Sequence, residues 1–156
     1  MTNPGPEEKI RIILEVLKKN EIPAIINVAA GGLVIPKDYD RRLFHFVSQI
    51  PYEWILPKMY AIMHPGGSGT THLAVKYGCA SIIIPHIRDQ HVWNDLNVKL
   101  GVGPKGVSVH KLSITKLESL LHELWNNKKF KTIAKTRSDE IRNQTLTQEL
   151  MKELTH

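Results

Sequence analysis

A glycine-rich loop carries the clearest chemistry in this sequence. The run from His64 to Thr71 reads His-Pro-Gly-Gly-Ser-Gly-Thr-Thr, and a helix is predicted to begin at about Thr70. Glycines let the backbone approach a ligand closely, and the free N–H groups of a helix N-terminus favour phosphate or diphosphate. Either threonine hydroxyl is suited to cap the helix or to reach a phosphate oxygen. A plain turn between strand and helix is the alternative, because the glycine spacing matches neither the Walker nor the dinucleotide-binding pattern.

A second candidate is the pair Asp89 and Gln90, which follows a predicted strand that ends before Pro85. A carboxylate beside an amide is suited to adjacent sugar hydroxyls, because the acid accepts hydrogen bonds and the amide both accepts and donates them. The alternative for Asp89 alone is an N-cap of the following helix. The pair therefore predicts a sugar contact only in combination with a neighbouring phosphate site.

Metal binding and disulfide bonding find little support in the sequence. His86, His91 and His110 match no zinc-binding spacing, so we expect no metal site. The single cysteine, Cys79, excludes a disulfide framework and is typical of a reducing compartment. No apolar run is long enough to span a bilayer, and the first residues do not resemble a signal peptide. We therefore expect a cytoplasmic protein.

The elements that must position these residues alternate along the chain. Strands are predicted at 22–29, 43–47, 60–63 and 80–84, with a weaker extended segment at 102–109. Helices are predicted at 6–19, 70–77, 89–100 and 113–125, with a polar helical tail at 130–154 in one or two pieces. This alternation predicts the α/β class, with a Rossmann-like parallel sheet covered by helices on both faces. Ligands of such sheets bind beyond the carboxyl ends of the strands, where both candidate loops lie.

Length and charge limit the remaining possibilities. A chain of 156 residues favours one domain, or one half of a larger enzyme. Its composition, 42% hydrophobic and 23% charged, excludes disorder, collagen and coiled coil. The net charge of +6 permits nucleic acid, anionic membranes or phosphate-bearing small molecules as partners. The basic residues between 111 and 142 are not interleaved with aromatics, so nucleic acid is only a secondary alternative.

The two loops and the segment that joins them resemble a known signature. The stretch reads HPGGSGTTHLAVKYGCASIIIP from His64, followed by Asp89-Gln90-His-Val-Trp and Leu100-Gly-Val-Gly-Pro104. It resembles the donor-binding signature of two-domain (GT-B) nucleotide-sugar glycosyltransferases, and residues 50–57 resemble the segment before that signature. The nearest resemblance is to sterol glucosyltransferases and to bacterial enzymes that glycosylate lipids or macrolide and glycopeptide antibiotics.

This resemblance implies that residues 1–156 form the C-terminal, donor-binding domain of such an enzyme. The donor would be a uridine-diphospho-sugar, with glucose as the expected sugar, and the acceptor a hydroxyl on a lipid or other apolar molecule. No cofactor is implied. The residues implied for the diphosphate are His64, Gly66, Gly67, Ser68, Gly69, Thr70 and Thr71; those for the transferred sugar are Asp89 and Gln90; and those beside the nucleobase are Ile50 and Tyr52.

Several departures from the family pattern lead to further expectations. Pro65 replaces a histidine that contacts the diphosphate in the family, and Ile50 stands where many relatives have an aromatic residue. The catalytic base of these inverting enzymes belongs to an N-terminal acceptor domain, so we expect no catalytic residue in this chain and an acceptor domain as its partner. A non-catalytic interaction module of the same fold is the alternative. Peripheral membrane contact of the full enzyme is also implied.

The family's opening strand also has no counterpart in the sequence. We therefore expect a vacancy between the strands at 24–29 and 60–64. The two strands would then pair directly, or another segment, such as one from a second copy, would fill the gap. Unpaired strand edges would in that case promote association of the chain with itself.

Overall fold

Helices and parallel strands alternate along the chain as the sequence predicts. The computed structural model describes residues 4–29 and 32–155. The strands are β1 Ala24–Asn27, β2 Phe44–Val47, β3 Ala61–His64 and β4 Ala80–Ile83. The helices are α1 Pro6–Lys19, α2 Tyr52–Ile55, α3 Ser68–Lys76, α4 Arg88–Leu100, α5 Ile114–Asn126 and α6 Lys129–Leu154, with 3-10 turns at Leu56–Lys58 and Val109–Lys111.

The strands form two parallel pairs. In the first pair Ala24 lies opposite Phe44, and in the second pair Ala61 lies opposite Ala80. The α/β class with parallel strands is thereby confirmed. In the described part of the chain no strand pairing joins β1–β2 to β3–β4.

In the described residues the space between the two pairs is not closed by direct pairing of β1 with β3, which was one of the two outcomes expected from the sequence. The amides of Ala24 and Val28 donate to β2, so residues 25 and 27 direct their backbone polar groups away from β2. By the same alternation residues 61 and 63 of β3 point away from β4. Within residues 4–29 and 32–155, β1 does not pair with β3 and no third strand lies between them, so direct pairing was a wrong prediction for the single chain.

One helical layer holds the two strand pairs together. Leu121 of α5 packs against the core around Phe44 and also against the core around Ile82. Ile13 of α1 likewise packs against the β1–β2 core and against a cluster formed by α1 and α5. These apolar contacts bridge the strand pairs without backbone hydrogen bonds, which explains how the gap persists.

The start and the apolar spacing of α1 suit this bridging role. Pro6 occupies the first turn together with Glu7 and Glu8, and Lys18 and Lys19 occupy the last turn. Proline suits the first turn because its missing N–H is not needed there, and the charges complement the helix dipole. The buried residues of this helix face the two clusters: Ile10, Ile12, Val16 and Leu17.

The opposite face of β3 packs on other elements. Ile62 contacts the cluster formed by Leu56, Ala74 and Cys79, whereas Met63 contacts the α5 side. Side chains of successive strand residues point to opposite faces, so β3 is covered on both. Helices on both faces of the sheet were predicted, and β3 fits that arrangement.

Residues 102–109 differ from their predicted structure, whereas the predicted helical tail is confirmed. Residues 102–109 form no strand; instead they run along the outer edge of β4, where the Val102 carbonyl accepts from the Ser81 amide at 3.0 Å. The tail is a single helix, α6, and its Ser138 hydroxyl donates to the Lys76 carbonyl at 2.5 Å. Residues 102–109 therefore cover the outer edge of β4 without forming a strand of their own.

Candidate functional site

The Gly66 loop, residues 64–71, turns sharply at the carboxyl end of β3. Gly66 adopts φ +98°, and a Cβ added there would come within 2.7 Å of the Ile83 side chain and 3.2 Å of the Gln90 carbonyl oxygen. A side chain at this position would therefore be strained and would clash with β4 and α4. Glycine here allows the loop after β3 to lie directly against the start of α4.

Helix α3 begins two residues earlier than predicted. Its N-cap is Gly67, and both the amide and the hydroxyl of Thr71 donate to the Gly67 carbonyl, at 3.0 and 2.8 Å. Capping by Thr70 or Thr71 was therefore a wrong prediction. The hydroxyl of Thr71 is turned back onto the helix, and Thr71 is buried.

The first turn of α3 remains available to a ligand. Thr71 makes the first backbone hydrogen bond of the helix, so the N–H groups of Ser68, Gly69 and Thr70 have no partner within it. A Cβ added at Gly67 or Gly69 would meet nothing within 4 Å, so this side of the loop faces open space. Free N–H groups beside open space at a helix N-terminus are suited to an anion.

His64 lies beneath the loop rather than on its open side. It is only 7% exposed, and its Nδ1 accepts a hydrogen bond from the Gly66 amide at 3.1 Å. Since Nδ1 accepts, the neutral ring carries its proton on Nε2, an atom that is buried and has no partner among the described residues. Burial lowers the pKa of His64 to about 4, so the ring is neutral at pH 7. In this structure its geometry fits a residue that holds the loop in place.

The second loop places Asp89 and Gln90 in the first turn of α4. Helix α4 has its N-cap at Ile87, so an N-cap role for Asp89 was a wrong alternative. Gln90 Oε1 accepts from the amides of His86 and Ile87, at 2.7 and 3.2 Å, so its side chain fixes the loop before α4 onto the first turn of that helix. Asp89 is exposed and its carboxylate is free to accept hydrogen bonds from a ligand. Asp89 therefore has the more accessible side chain of the two, because the side-chain oxygen of Gln90 is already hydrogen-bonded to the preceding loop.

The two loops meet at Gly66 and Gln90. An added Gly66 Cβ would lie 3.4 Å from the Gln90 Cβ as well as 3.2 Å from the Gln90 carbonyl oxygen. The sequence analysis placed both loops at the carboxyl edge of the sheet, and the structure brings them into contact there. The open first turn of α3 and the Asp89 carboxylate therefore belong to one surface.

The residues assigned to the nucleobase lie in another cluster. Ile50 and Tyr52 are half-buried and pack with Ile55, Ala74 and Cys79. Ala74 belongs to α3, so this segment lies against the helix that follows the Gly66 loop. Their role beside a base stays a prediction.

Two tryptophans differ in their surroundings. Trp54 is 59% exposed, with the Lys58 ammonium 3.6 Å from its ring centre. Trp93 is half-buried and lies edge-on to His72, with ring centres 5.2 Å apart. His72 follows the Gly66 loop on α3, so Trp93 packs α4 against that helix.

Sequence reasoning missed two buried asparagines that hold α4 to the edge of β4. Asn94 both donates to the Gly106 carbonyl, at 2.9 Å, and accepts from the Gly106 amide, at 3.0 Å. Asn97 donates to the Ser81 carbonyl at 3.0 Å. A Cβ at Gly106 would come within 1.6 Å of the Ile83 carbonyl oxygen, so close backbone contact requires glycine there. The repeated glycines between 101 and 106 were the available signal.

Comparison with known proteins identifies the family. Residues 35–156 match the family described as "Erythromycin biosynthesis protein CIII-like, C-terminal domain". The chain belongs to this family of glycosyltransferase C-terminal domains. It is 33% identical over 141 residues to the sterol 3-beta-glucosyltransferase UGT80A2 of Arabidopsis thaliana, a match that covers 86% of this chain and 22% of that protein. It is 26% identical over 99 residues to the vancomycin aglycone glucosyltransferase of Amycolatopsis orientalis, covering 64% of this chain and 24% of that protein.

Solved structures confirm the GT-B fold of this glycosyltransferase domain. A UDP-glucose: anthocyanidin 3-O-glucosyltransferase in complex with UDP superposes with a TM-score of 0.73 at 19% identity, covering 91% of this chain and 34% of that one. The chain thus spans about a fifth of the length of the sterol glucosyltransferase and a third of this solved chain.

The described residues contain neither a group of metal ligands nor a membrane-spanning helix. Among residues 4–29 and 32–155, no three histidine, cysteine, aspartate or glutamate side chains are grouped as metal ligands would be. In the same ranges no helix combines the length and the apolar character needed to cross a bilayer.

Proposed function

We propose that this glycosyltransferase domain binds a uridine-diphospho-sugar, with glucose as the sugar. The observation that carries the proposal is the contact between Gly66 and Gln90, which joins the open first turn of α3 to the Asp89 carboxylate. A diphosphate on that turn would leave its sugar near α4. Two related proteins support the donor class, since one is named a sterol glucosyltransferase and a similar fold was solved with UDP.

The chemistry of the proposed site is stabilisation of a leaving group. The N–H groups of Ser68, Gly69 and Thr70 and the positive end of the α3 dipole would hold the diphosphate. Because negative charge grows on the diphosphate as the sugar leaves, the same groups stabilise the transition state more than the bound donor. Asp89 would accept hydrogen bonds from the sugar hydroxyls, and Gln90 would orient the loop. Neither a metal nor a cofactor enters this proposal.

Deprotonation of the acceptor is assigned to a second domain. A histidine base is usually oriented by a carboxylate, and among the described contacts His64, His72 and His86, which lie in or beside the two loops, bond to none. His122 lies 4.0 Å from Glu118, but it is on α5 beside Asn20 at the end of α1. We therefore propose a longer, inverting enzyme whose acceptor domain supplies the base. The acceptor would be a hydroxyl of a lipid or other apolar molecule, reached by peripheral contact with a membrane from the cytoplasm. This acceptor class is suggested by the sterol glucosyltransferase relatives.

A non-catalytic interaction module is the second candidate. Pro65 favours it, because proline has no N–H and no side-chain donor at a position where relatives carry a histidine. Such a module would keep the fold but would not bind nucleotides.

NMR titration of the 15N-labelled chain with UDP tests the proposal. We expect shifts at residues 66–71 and at residues 89–90, with a Kd of roughly millimolar to tens of micromolar. UDP-glucose should perturb Asp89 more than UDP does, and Asp89→Asn should remove that difference. Asp95→Asn is the matched control, since Asp95 lies exposed on the same helix and its carboxylate is 3.6 Å from Lys105.

Two outcomes would contradict the proposed function. Shifts confined to the basic face between 111 and 142, abolished by salt, would indicate charge-driven binding without nucleotide selectivity. A complete absence of nucleotide binding would favour the interaction module.

A further inference from the structure

A largely buried lysine near the proposed site has no described anionic partner. Lys9 of α1 is only 9% exposed. Its side-chain contact is with a histidine, Nζ to His86 Nε2 at 3.4 Å, and no described carboxylate lies within 4 Å of it. An ammonium removed from water is costly unless an anion or several hydrogen bonds compensate it. The Lys9 ammonium therefore has no described negative charge beside it.

The groups around Lys9 are themselves basic. His86 Nδ1 bonds to the Ile84 carbonyl at 2.9 Å; since a carbonyl only accepts, Nδ1 carries the proton and Nε2 presents its lone pair to Lys9. Burial lowers the pKa of His86, the hydrogen bond to the Ile84 carbonyl raises it, and the nearby Lys9 and His110 side chains lower it again. Lys9, His86 and His110, hereafter the Lys9 cluster, come from three separate elements: α1, the loop after β4 and the turn at Val109–Lys111.

The Lys9 cluster is continuous with the candidate donor site. The His86 amide donates to Gln90 Oε1 at 2.7 Å, and the Gln90 backbone lies against Gly66. One residue thus contacts both the Gly66 loop and the Lys9 cluster. Gln90 lies between the Gly66 loop and the Lys9 cluster, so an anionic group of a bound donor would have to reach past Gln90 to approach the Lys9 ammonium.

We propose that Lys9, held in place by its contact with His86, binds an anionic group of the donor nucleotide sugar. The inference rests on the proposed function and adds a charged contact to it. An ammonium offers three N–H donors, of which His86 Nε2 accepts one, so Lys9 retains donors for phosphate or carboxylate oxygens. Two parts of a donor carry such oxygens: the diphosphate, or a carboxylate on the sugar, as in a hexuronic acid.

Affinities of the 156-residue chain for three nucleotides test this proposal. UDP, UDP-glucose and UDP-glucuronate are titrated by calorimetry into the wild-type chain, Lys9→Met and Lys18→Met. Methionine keeps an unbranched stem without the charge, and Lys18 is an exposed lysine on the same helix. We expect Lys9→Met to weaken binding by about tenfold, the scale of one hydrogen bond to a charged group. Lys18→Met should leave all three affinities unchanged.

The pattern of losses identifies the source of the anion. An equal loss for all three nucleotides assigns Lys9 to the diphosphate, whereas a loss for UDP-glucuronate alone assigns it to a sugar carboxylate. Affinities of Lys9→Met within twofold of wild type for all three overturn the proposal and leave the proposed function intact. Failure of the wild-type chain to bind any of them overturns both.

A second measurement is independent of affinity. The NMR signals of the His86 ring report its protonation, and a bound anion should raise its pKa because negative charge favours the imidazolium. Saturating nucleotide should therefore shift the His86 titration to higher pH in wild type but not in Lys9→Met. An unchanged His86 titration in the nucleotide-bound wild-type chain would overturn the role of the pair.

Discussion

Gly66 and Gln90 are in such close contact that an added Cβ on the glycine would come within 3.2 Å of the glutamine carbonyl oxygen. This contact joins the candidate phosphate-binding loop after β3 to the candidate sugar-binding residues after β4. Two loops that are separate in sequence thereby form one surface, and the geometry of that surface depends on a residue without a side chain.

We predict that Gly66→Ala removes nucleotide binding and destabilises the fold. Alanine at φ +98° is strained and its methyl group would meet Ile83, so we expect a loss of roughly 1–3 kcal/mol in the free energy of unfolding. Gly32→Ala is the control, because its Cβ would also meet nothing within 4 Å and Gly32 is not among the residues assigned to the donor. Urea unfolding and UDP titration check both; equal effects of the two substitutions would contradict the role of Gly66.

Pro65→His should strengthen UDP binding. A histidine at this exposed position would add a donor beside the open side of the Gly66 loop, and a hydrogen bond to a charged group contributes about 1–2 kcal/mol. Pro65→Ala separates this gain from the loss of proline rigidity, and it should leave the affinity close to wild type. An affinity of Pro65→His at or below that of Pro65→Ala, measured by calorimetry, would show that the loop directs this residue away from the ligand.

The stability of the fold should fall in mild acid because of His64. Its pKa in the folded chain is about 4, below the ordinary 6.5, so between these values the unfolded chain binds a proton that the folded chain does not. The contribution is complete above pH 6.5 and is lost as the pH falls towards 4, up to about 3 kcal/mol. His64→Asn, whose side-chain oxygen can still accept from the Gly66 amide, should have a smaller difference in unfolding free energy between pH 7 and pH 4.5.

His91→Gln provides the control for that measurement, since His91 is exposed on α4. Urea unfolding at several pH values should give the same slope for His91→Gln and for wild type. A wild-type slope retained in His64→Asn would assign the acid sensitivity to other groups, such as His86, whose pKa is also lowered by burial.

The sequence predicted the positions of the loops better than the details of their hydrogen bonds. Alternating apolar runs located all four strands and the helices α1, α3, α4 and α5, because burial against helices on each face produces a strong pattern, whereas the short helix α2 was not predicted. The start of α3 at Ser68 was missed, since Gly67 caps the helix with backbone alone and leaves no side-chain signal. The contact between Lys9 and His86 joins residues 77 positions apart, so no local pattern indicated it.

The last prediction concerns the space between β1 and β3. Residues 25 and 27 of β1, and residues 61 and 63 of β3, direct backbone N–H and C=O groups away from their paired strands. Unpaired strand edges are templates for another chain, so we expect the isolated chain to associate with itself. Analytical ultracentrifugation at increasing concentration should reveal a dimer or larger species.

A charge on the open edge should weaken this association. Ile25 is 40% exposed on β1, so Ile25→Lys is tolerated by the core and places a charge at the edge, a common natural protection against strand pairing. Val98→Lys is the matched control, because Val98 is 42% exposed but lies on α4. We expect Ile25→Lys to raise the dissociation constant by about tenfold or more, the equivalent of about 1.4 kcal/mol. A chain that stays monomeric at all concentrations, or equal effects of the two lysines, would show that the strand edges do not mediate association.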